Sequence, residues 1–427
     1  MEAIQIALLL CLVPLAALIF KIPELGLVLC LITGALAKGV IQPVLGPIDI
    51  TAFLFAITYG SIFIRSCMEK RLAMPGLGIN ILVLLLVILL LASLLYTPLP
   101  SKGTESFLRF VFLSISMLYA TFMWCNSIER IKRLLFIFVG ILLVYGTILF
   151  AAFLLFRAEF LLASRAAFLQ TSILGVAKHL AAAVLIAFAL RPLVNIKWQK
   201  IMLTILMIIG TIELVALNSR GPLIAFIVGG VCLFLLYSMK EKKLIIALAP
   251  LGFAVVALAF ILLPSHYTAR YIMITNLESS SIAVRLDMWQ FVAQHFSEWF
   301  FTGAGLGGFA YYYAATTDPL ASATYPHNIF LDIFADIGFF GFLVFAWLLA
   351  CLFYTGVKMS RVHESSIRLL SLASMVALIV FLTGHLFSGT AIGTRDLWFA
   401  GGLILSLDRL WRNKNKESME HALESGK

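Results

Sequence analysis

Three short polar segments in this sequence carry side chains that can bind an anion or move a proton. Arg220 lies in the segment NSRGP, Arg285 begins the segment RLDMW, and His327 lies in the segment PHN. A guanidinium contacts two phosphate oxygens at once, and a neutral imidazole accepts a proton near neutral pH. Together these residue types would support the binding of a phosphate-containing group and general-base chemistry beside it.

Each segment also has an interpretation without catalysis. Arg220 precedes an apolar helix whose N-terminus attracts anions, but its side chain can equally extend to lipid headgroups. His327 would lie in the first turn of the next helix, where the dipole favours neutral imidazole, or it would only cap that helix. Asp332 and Asp336 follow at a spacing of four residues on one side of the same helix. Carboxylates inside an apolar helix usually face a polar cavity or a partner, which favours a functional interpretation.

Further polar residues are candidates for supporting roles around these three. Asn328 follows His327 directly, and Arg395 with Asp396 begins the last apolar segment. His385, late in the preceding apolar segment, is a second candidate base. Asn328, Arg395 and Asp396 would orient the groups that touch a substrate.

The sequence predicts no metal site and no cofactor. The glycine segment GAGLGG at 303–308 satisfies a dinucleotide-binding pattern, but no strand–helix unit surrounds it, so it predicts a flexible turn. His266, His295 and His385 lack the spacing of a zinc protease. The six cysteines lie in or beside apolar segments, which predicts buried free thiols.

The elements that must position these residues are membrane helices. The chain has 427 residues, of which 62% are hydrophobic and 12% charged, and its mean hydropathy is +1.05, which excludes a soluble globular protein. Apolar runs long enough to cross a bilayer recur throughout and predict an all-α polytopic transmembrane bundle of 12 or 13 spans. The predicted spans are 3–20, 24–41, 50–64, 78–96, 106–124, 133–156, 172–190, 200–217, 222–238, 243–263, 328–354, 368–389 and 395–410.

The distribution of basic residues predicts the orientation of this bundle. The net charge of +10 comes mostly from Lys and Arg in alternating loops, which indicates cytoplasmic loops instead of nucleic-acid binding. Both early apolar segments cross only if the N-terminus starts outside; alternatively, residues 21–24 break a hairpin that does not fully span. The predicted parts are N-terminal helices (1–199), helices with an outward turn (200–263), an outer loop (264–327), C-terminal helices (328–410) and a disordered cytoplasmic tail (411–427).

The predicted outer loop contains an amphipathic segment at 284–300. Met288 or Trp289, Val292, Phe296 and Trp299 recur at helical spacing, with polar residues between them. This pattern predicts a helix lying on the bilayer surface. Its tryptophans are interpreted as anchors at the membrane interface or, alternatively, as platforms that stack on sugars.

The ordered set of motifs resembles the O-antigen ligase and polymerase family. The resemblance covers roughly residues 200 to 410 and rests on motifs that share an order, a spacing and one predicted side of the membrane: NSRGP around Arg220, RLDMW from Arg285, GAGLG from Gly303, HN at His327, DIG at Asp336, and Gly341. It implies an integral membrane glycosyltransferase at the outer face of the bacterial inner membrane. By the same resemblance, Arg220 and Arg285 match pyrophosphate-binding arginines and His327 matches a catalytic base.

The resemblance also implies the partners and the reaction class. The donor would be a polyprenyl-pyrophosphate-linked saccharide and the acceptor a sugar hydroxyl of a lipid-anchored glycan, with inversion and without a metal. A polymerase of the same family, which adds the saccharide to another lipid-linked repeat, remains open. A transporter of lipid-linked saccharides is the alternative from another class, because glycine-interrupted spans occur.

Overall fold

The described part of the chain is built from helices and contains no strand. The computed structural model describes residues 2–36, 49–164, 173–217, 219–237, 280–316, 325–390 and 393–425. The predicted all-α polytopic bundle is confirmed. In chain order the helices are α1 (Glu2–Lys21), α2 (Pro23–Leu36), α3 (Ile50–Met68), α4 (Leu77–Ser93), α5 (Pro100–Arg109), α6 (Ser116–Trp124), α7 (Ile128–Ser164), α8 (Ile173–Leu190), α9 (Lys197–Ala216), α10 (Arg220–Leu236), α11 (Ser280–Gln294), α12 (Phe296–Trp299), α13 (Gly308–Thr316), α14 (Ile329–Met359), α15 (Ser365–Ser388) and α16 (Arg395–Ser425).

Seven of the described helical stretches are long and apolar enough to cross a membrane. They are α3, α5 with α6 through a π-helical turn, α7, α8, α9, α14 and α15, while α4 and α10 are shorter apolar helices. Each predicted span coincides with a described helix except 243–263, which lies outside the described residues. The agreement follows from length, since a helix rises 1.5 Å per residue and about 20 apolar residues cover the hydrocarbon core.

The loops rich in Lys and Arg meet at one end of the bundle, which we call the basic end. Arg130 in the first turn of α7 pairs with Glu69 after α3 at 2.6 Å, and Arg133 of the same helix lies 3.5 Å from Glu24 at the start of α2. The turn between α1 and α2 therefore lies at the basic end. Other contacts that join these loops are Lys132 with the oxygen of Leu193, Arg409 with the oxygens of Phe122 and Cys125, Lys358 with Asp408, and Lys414 with Glu364.

Helices α8 and α15 form the centre of the bundle. Protein covers 78% of the apolar window of α8 and 83% of that of α15, against 39–44% for the other five spans. α10 packs closely on both, because a Cβ on Gly229 would meet Val380 at 2.6 Å and Leu185 at 2.8 Å. Most side chains on α8 and α15 therefore face protein.

α14 is broken near its start, and the glycine segment bridges the break. Ile337 and Gly338 have non-helical conformations, with Gly338 at φ 70° and ψ −167°. The Ala304 N–H donates to the oxygen of Ala335 at 2.7 Å, and the Phe339 N–H donates to the oxygen of Phe300 at 2.7 Å. The glycine segment is a turn, as predicted, but these bonds fix it against α14, so the prediction that it is flexible was wrong.

The segment predicted to lie on the bilayer packs against protein instead. It forms α11 and α12, separated at His295, and Trp299 is only 2% exposed. Met288 and Val292 are also buried, whereas Phe296 on the predicted apolar face is 50% exposed. The buried side chains form a second small core with α13 and the first half of α14, made of Met288, Phe291, Val292, Trp299, Ala304, Phe309, Tyr313, Phe334 and Ala335. Trp299 is therefore a core residue and not an anchor at the membrane interface.

The C-terminal segment is helical to Ser425, which contradicts the prediction of a disordered tail. Arg412 pairs with Asp408 at 2.7 Å and Lys416 lies 3.8 Å from Glu420, both at a spacing of four residues. Such pairs stabilise an exposed helix by a few tenths of a kcal/mol each.

Candidate functional site

His327 lies immediately before α14 in a strained backbone conformation. Its φ is 56°, a left-handed value that few non-glycine residues adopt. Asn328 is the N-cap, since its Oδ1 accepts from the N–H groups of Phe330 at 3.0 Å and Leu331 at 3.3 Å. The prediction that His327 lies in the first turn was therefore wrong, because Asn328 takes the capping position and leaves His327 outside the helix. Strain of this kind often marks functional positions.

The structure brings Arg285 and His327 together. α11 is held against the start of α14 by Trp289, whose Nε1 donates to the oxygen of Pro326 at 2.8 Å. Burial lowers the pKa of His327 below its ordinary value, and the positive charge of Arg285 lowers this pKa further. The Nδ1 atom of His327 is buried and makes no hydrogen bond to the described residues. His327 is thus held in the neutral form with a ring nitrogen available.

Tyr325 packs against His327 and lies within the electrostatic influence of Asp332 on α14. The rings of Tyr325 and His327 have centroids 4.2 Å apart. Burial raises the pKa of Tyr325, the negative charge of Asp332 raises it as well, and Arg285 opposes the shift. Asp332 is itself buried, with 4% of its surface exposed.

Asp336, the second carboxylate on this helix, has a different partner. Its Oδ1 accepts from the N–H of Gly307 at 2.9 Å, so it binds the glycine segment. The spacing of four residues placed both aspartates on the same helix, but only Asp332 acts on the tyrosine beside His327. The contact of Asp336 instead fixes the turn that bridges the broken helix.

Arg220 is the first residue of α10 and lies beside the end of α15. Ser219 occupies the cap position; its hydroxyl is buried and makes no hydrogen bond within the described residues. A Cβ on Gly221 would meet the Cβ of Phe387 at 3.3 Å, so this turn packs on the last turn of α15. Pro222 lies in the first turn, as predicted. Asn218 of the same motif lies outside the described residues.

A buried ionic cluster joins α8, α15 and the start of α16. The Nζ atom of Lys178 lies 2.6 Å from Oδ2 of Asp396 and 3.0 Å from Nε2 of His385. The same Nε2 lies 2.8 Å from Oδ1 of Asp396. The sequence predicted His385 and Asp396 as polar candidates, but it missed Lys178. The signal was present, because Lys178 is a cation inside an apolar run and such residues are usually functional.

A cavity of about 270 Å³ lies above this cluster and reaches Tyr325. Arg395 also lines it, while its Nη1 donates to the oxygen of Cys30 on α2 at 3.2 Å and its guanidinium lies 5.3 Å from the ring of Phe55. Arg395 therefore ties the start of α16 to α2 and α3. Tyr325 belongs to both the cavity wall and the surroundings of His327.

Comparison with known families identifies the segment that carries Arg220, Arg285 and His327. Residues 205–346 match the family model described as O-antigen ligase. These residues form an O-antigen ligase domain. The resemblance seen in the motifs is thereby confirmed. No curated protein matches the chain.

The ligase domain contains only part of the polar site. Asn328, Asp332 and Asp336 fall inside the matched range, whereas Lys178, His385 and Asp396 fall outside it. Tyr325, inside the range, is the described residue through which the domain borders the cavity.

Of the two other histidines that the sequence places near the outer side, His266 lies outside the described residues and His295 does not join this site. The Nδ1 of His295 lies 3.0 Å from the oxygen of Phe291, and its ring stacks on Trp299 with centroids 4.9 Å apart. Across the ranges that the structure describes, no three His, Cys, Asp or Glu side chains are grouped to hold a metal ion.

Proposed function

We propose that this protein is a membrane glycosyltransferase of the ligase type. It transfers a saccharide from polyprenyl pyrophosphate to a sugar hydroxyl of a lipid-anchored acceptor. The observation that supports this most is the placement of Arg285 beside a buried, strained His327 within the O-antigen ligase domain. A cation for the leaving pyrophosphate and a neutral base for the incoming hydroxyl are the two groups that this reaction requires.

In the proposed reaction, Arg220 and Arg285 bind the pyrophosphate. The acceptor oxygen forms a bond to the anomeric carbon while the bond from that carbon to the pyrophosphate oxygen breaks. Negative charge grows on the leaving oxygen, and two fixed guanidiniums with the N-terminus of α10 stabilise it by preorganised electrostatics, without a metal. Polyprenyl pyrophosphate leaves with the bonding electron pair.

His327 removes the proton from the acceptor hydroxyl as that hydroxyl attacks. Attack from the face opposite the pyrophosphate inverts the anomeric configuration. A positioned base contributes about 10²- to 10⁴-fold to such a step. In this proposal Asn328 caps α14 and so fixes the position of His327. Asp332 influences the pKa of Tyr325. Asp336 holds the glycine segment, and Arg395 holds the start of α16.

The proposed location is the bacterial inner membrane, with the site at the periplasmic or exterior face. The gathering of Lys- and Arg-rich loops at the basic end supports this orientation, because such loops face the cytoplasm in membrane proteins. The polyprenyl chain would then enter from the lipid, and the acceptor from the outer leaflet.

The test is a reconstituted transfer reaction. Purified protein would receive a synthetic polyprenyl-pyrophosphate saccharide and a candidate acceptor, with EDTA present. We expect the wild type to release polyprenyl pyrophosphate, and Arg220→Ala, Arg285→Ala and His327→Ala to lose this activity; Arg361→Ala at the basic end is the matched control. Product on the acceptor lipid indicates a ligase, whereas longer saccharide on the polyprenyl carrier indicates a polymerase. Donor binding without turnover for any acceptor would contradict the proposal and favour a transporter.

A further inference from the structure

The cavity above Lys178 is lined by polar groups that the proposed transfer does not use. It lies where the first turns of α8, the end of α15 and the start of α16 meet, with Tyr325 on its wall. Lys178, His179, His385 and Asp396 are each at least nine-tenths buried. Burying so many polar groups among apolar helices is costly unless they are hydrogen-bonded.

The hydrogen bond of His179 fixes which of its two ring nitrogens is an acceptor. The Nδ1 of His179 lies 2.7 Å from the oxygen of Gly175. A carbonyl only accepts, so this Nδ1 carries the proton and Nε2 of neutral His179 is an acceptor. That Nε2 makes no hydrogen bond within the described residues and lies 3.7 Å from Asp396, which is also only an acceptor when ionised.

His385 contacts the cluster through its Nε2. This nitrogen lies 2.8 Å from Oδ1 of Asp396, which accepts, and 3.0 Å from Nζ of Lys178, which only donates, so these contacts are compatible with either tautomer of the ring. The Nδ1 of His385 is buried and has no hydrogen-bond partner among the described residues. The surroundings of the cavity therefore combine the cationic donor of Lys178 with the unmatched imidazole acceptor of His179.

We propose that this cavity is a subsite for one sugar ring. Each sugar hydroxyl both donates and accepts, so a polyhydroxylated ring can satisfy the imidazole acceptor of His179 and the Lys178 donor together. A phosphate at neutral pH presents mainly acceptors and would leave the Nε2 of His179 unmatched. The cavity volume of about 270 Å³ is large enough for a single sugar ring.

The sugar subsite rests on the proposed glycosyl transfer and adds a substrate contact to it. Tyr325 lines the cavity, and its ring centroid lies 4.2 Å from that of His327. A sugar ring in the cavity would therefore lie next to the proposed base. The ring belongs either to the donor, directly after the pyrophosphate, or to the acceptor.

Binding measurements on the full chain in lipid nanodiscs test this subsite. The probes are polyprenyl pyrophosphate alone and polyprenyl pyrophosphate carrying one sugar. The variants are His179→Leu, which removes the acceptor nitrogen, and Ser388→Ala, at a half-buried hydroxyl on the cavity wall. Tyr145→Phe is the matched control, because its buried hydroxyl also makes no hydrogen bond within the described residues but borders a separate space beside His179.

If the ring belongs to the donor, the wild type binds the sugar-bearing carrier more tightly than the bare carrier. His179→Leu then loses about three- to tenfold of that preference, which corresponds to one hydrogen bond, and its affinity for the bare carrier stays unchanged. Tyr145→Phe should keep the preference of the wild type. If the ring belongs to the acceptor, donor binding is unaffected and the acceptor KM rises by a similar factor. Either result supports the subsite, and Ser388→Ala should change the same quantity in the same direction.

The subsite is overturned if both variants keep the sugar preference and the acceptor KM of the wild type. It is also overturned if bare-carrier affinity falls as much as that of the sugar-bearing carrier, since the cavity would then bind pyrophosphate. Failure of the transfer proposal is a different result, in which the wild type releases no polyprenyl pyrophosphate with any acceptor.

Discussion

The indole Nε1 of Trp289 donates a hydrogen bond of 2.8 Å to the backbone oxygen of Pro326. This bond joins α11, which carries Arg285, to the residue that precedes His327. It therefore fixes the distance between the proposed pyrophosphate-binding arginine and the proposed base. Correct relative placement of such groups accounts for a large part of an enzymatic rate.

Trp289→Phe should keep the packing of α11 and lose this bond. We expect the transfer rate to fall about two- to tenfold, because one neutral hydrogen bond contributes about 0.5–1.5 kcal/mol. The measurement is the initial rate of polyprenyl pyrophosphate release. Trp347→Phe, at a 66% exposed position on α14, is the control and should leave the rate unchanged. Equal rates for the two variants would show that the bond does not position the site.

The pH dependence of the reaction should respond to Arg285. A general base works in its neutral form, so the rate falls as the pH drops through the pKa of His327. Burial and the charge of Arg285 both lower that pKa. Arg285→Gln removes the charge, the pKa of His327 rises towards its ordinary value, and the acid limb of the profile moves to higher pH. The maximal rate should also fall by about 10²- to 10³-fold, as for the loss of an oxyanion donor.

The profile is measured as kcat/KM against pH, with Arg361→Gln as the control for a changed net charge. Arg361 is exposed at the basic end. An acid limb that stays in place in Arg285→Gln, or one that moves to lower pH, would contradict the electrostatic link between Arg285 and His327.

The break in α14 should depend on glycine at position 338. Its φ of 70° and ψ of −167° lie in a region that is essentially restricted to glycine, and a Cβ would meet the oxygen of Phe301 at 2.6 Å. Gly338→Ala should lower the free energy of unfolding by about 1–3 kcal/mol. Thermal or denaturant unfolding in detergent measures this. Gly140→Ala is the control, since nothing lies within 4 Å of its Cβ position, and a Gly338→Ala protein as stable as this control would refute the strained break.

The ion pair between Lys178 and Asp396 should contribute to the stability of the fold, and a second substitution should show this. Lys178→Met leaves a buried carboxylate without its cation and should cost about 3–5 kcal/mol of stability. Adding Asp396→Asn removes that charge and should recover part of the loss, which a double-mutant cycle measures. Lys197→Met at an exposed position is the control and should change stability by about 0.5 kcal/mol or less. Additive effects of the two substitutions would contradict a direct pair.

The helices could be predicted from sequence because the length of an apolar run alone specifies a membrane span. The surroundings of α11 could not, since helical spacing of Met288 and Val292 shows an apolar face but not whether lipid or protein covers it. The structure shows that α13 and α14 cover it. The position of His327 before the cap could not be predicted either, because it depends on which side chain accepts the first amide N–H groups of α14, and that side chain is Asn328.

Those residues of the candidate site that lie in short polar motifs could be predicted from the sequence. Arg285 and His327 were predicted to lie on one side of the membrane, and the structure places the charge of Arg285 close enough to act on His327. Lys178 and His385 are 207 residues apart in the chain, and only the packing of α8 on α15 brings them into contact. Residues so far apart form no local sequence pattern, so the cavity beside them could not be predicted from the sequence.

The most direct test of the proposed mechanism is single-turnover release of polyprenyl pyrophosphate by His327→Gln. Donor binding is measured in the same preparation, so that a loss of affinity is separated from a loss of chemistry. We expect a donor affinity close to that of the wild type and a rate of release about 10²- to 10⁴-fold lower. Release at the wild-type rate would contradict the assignment of His327 as the base.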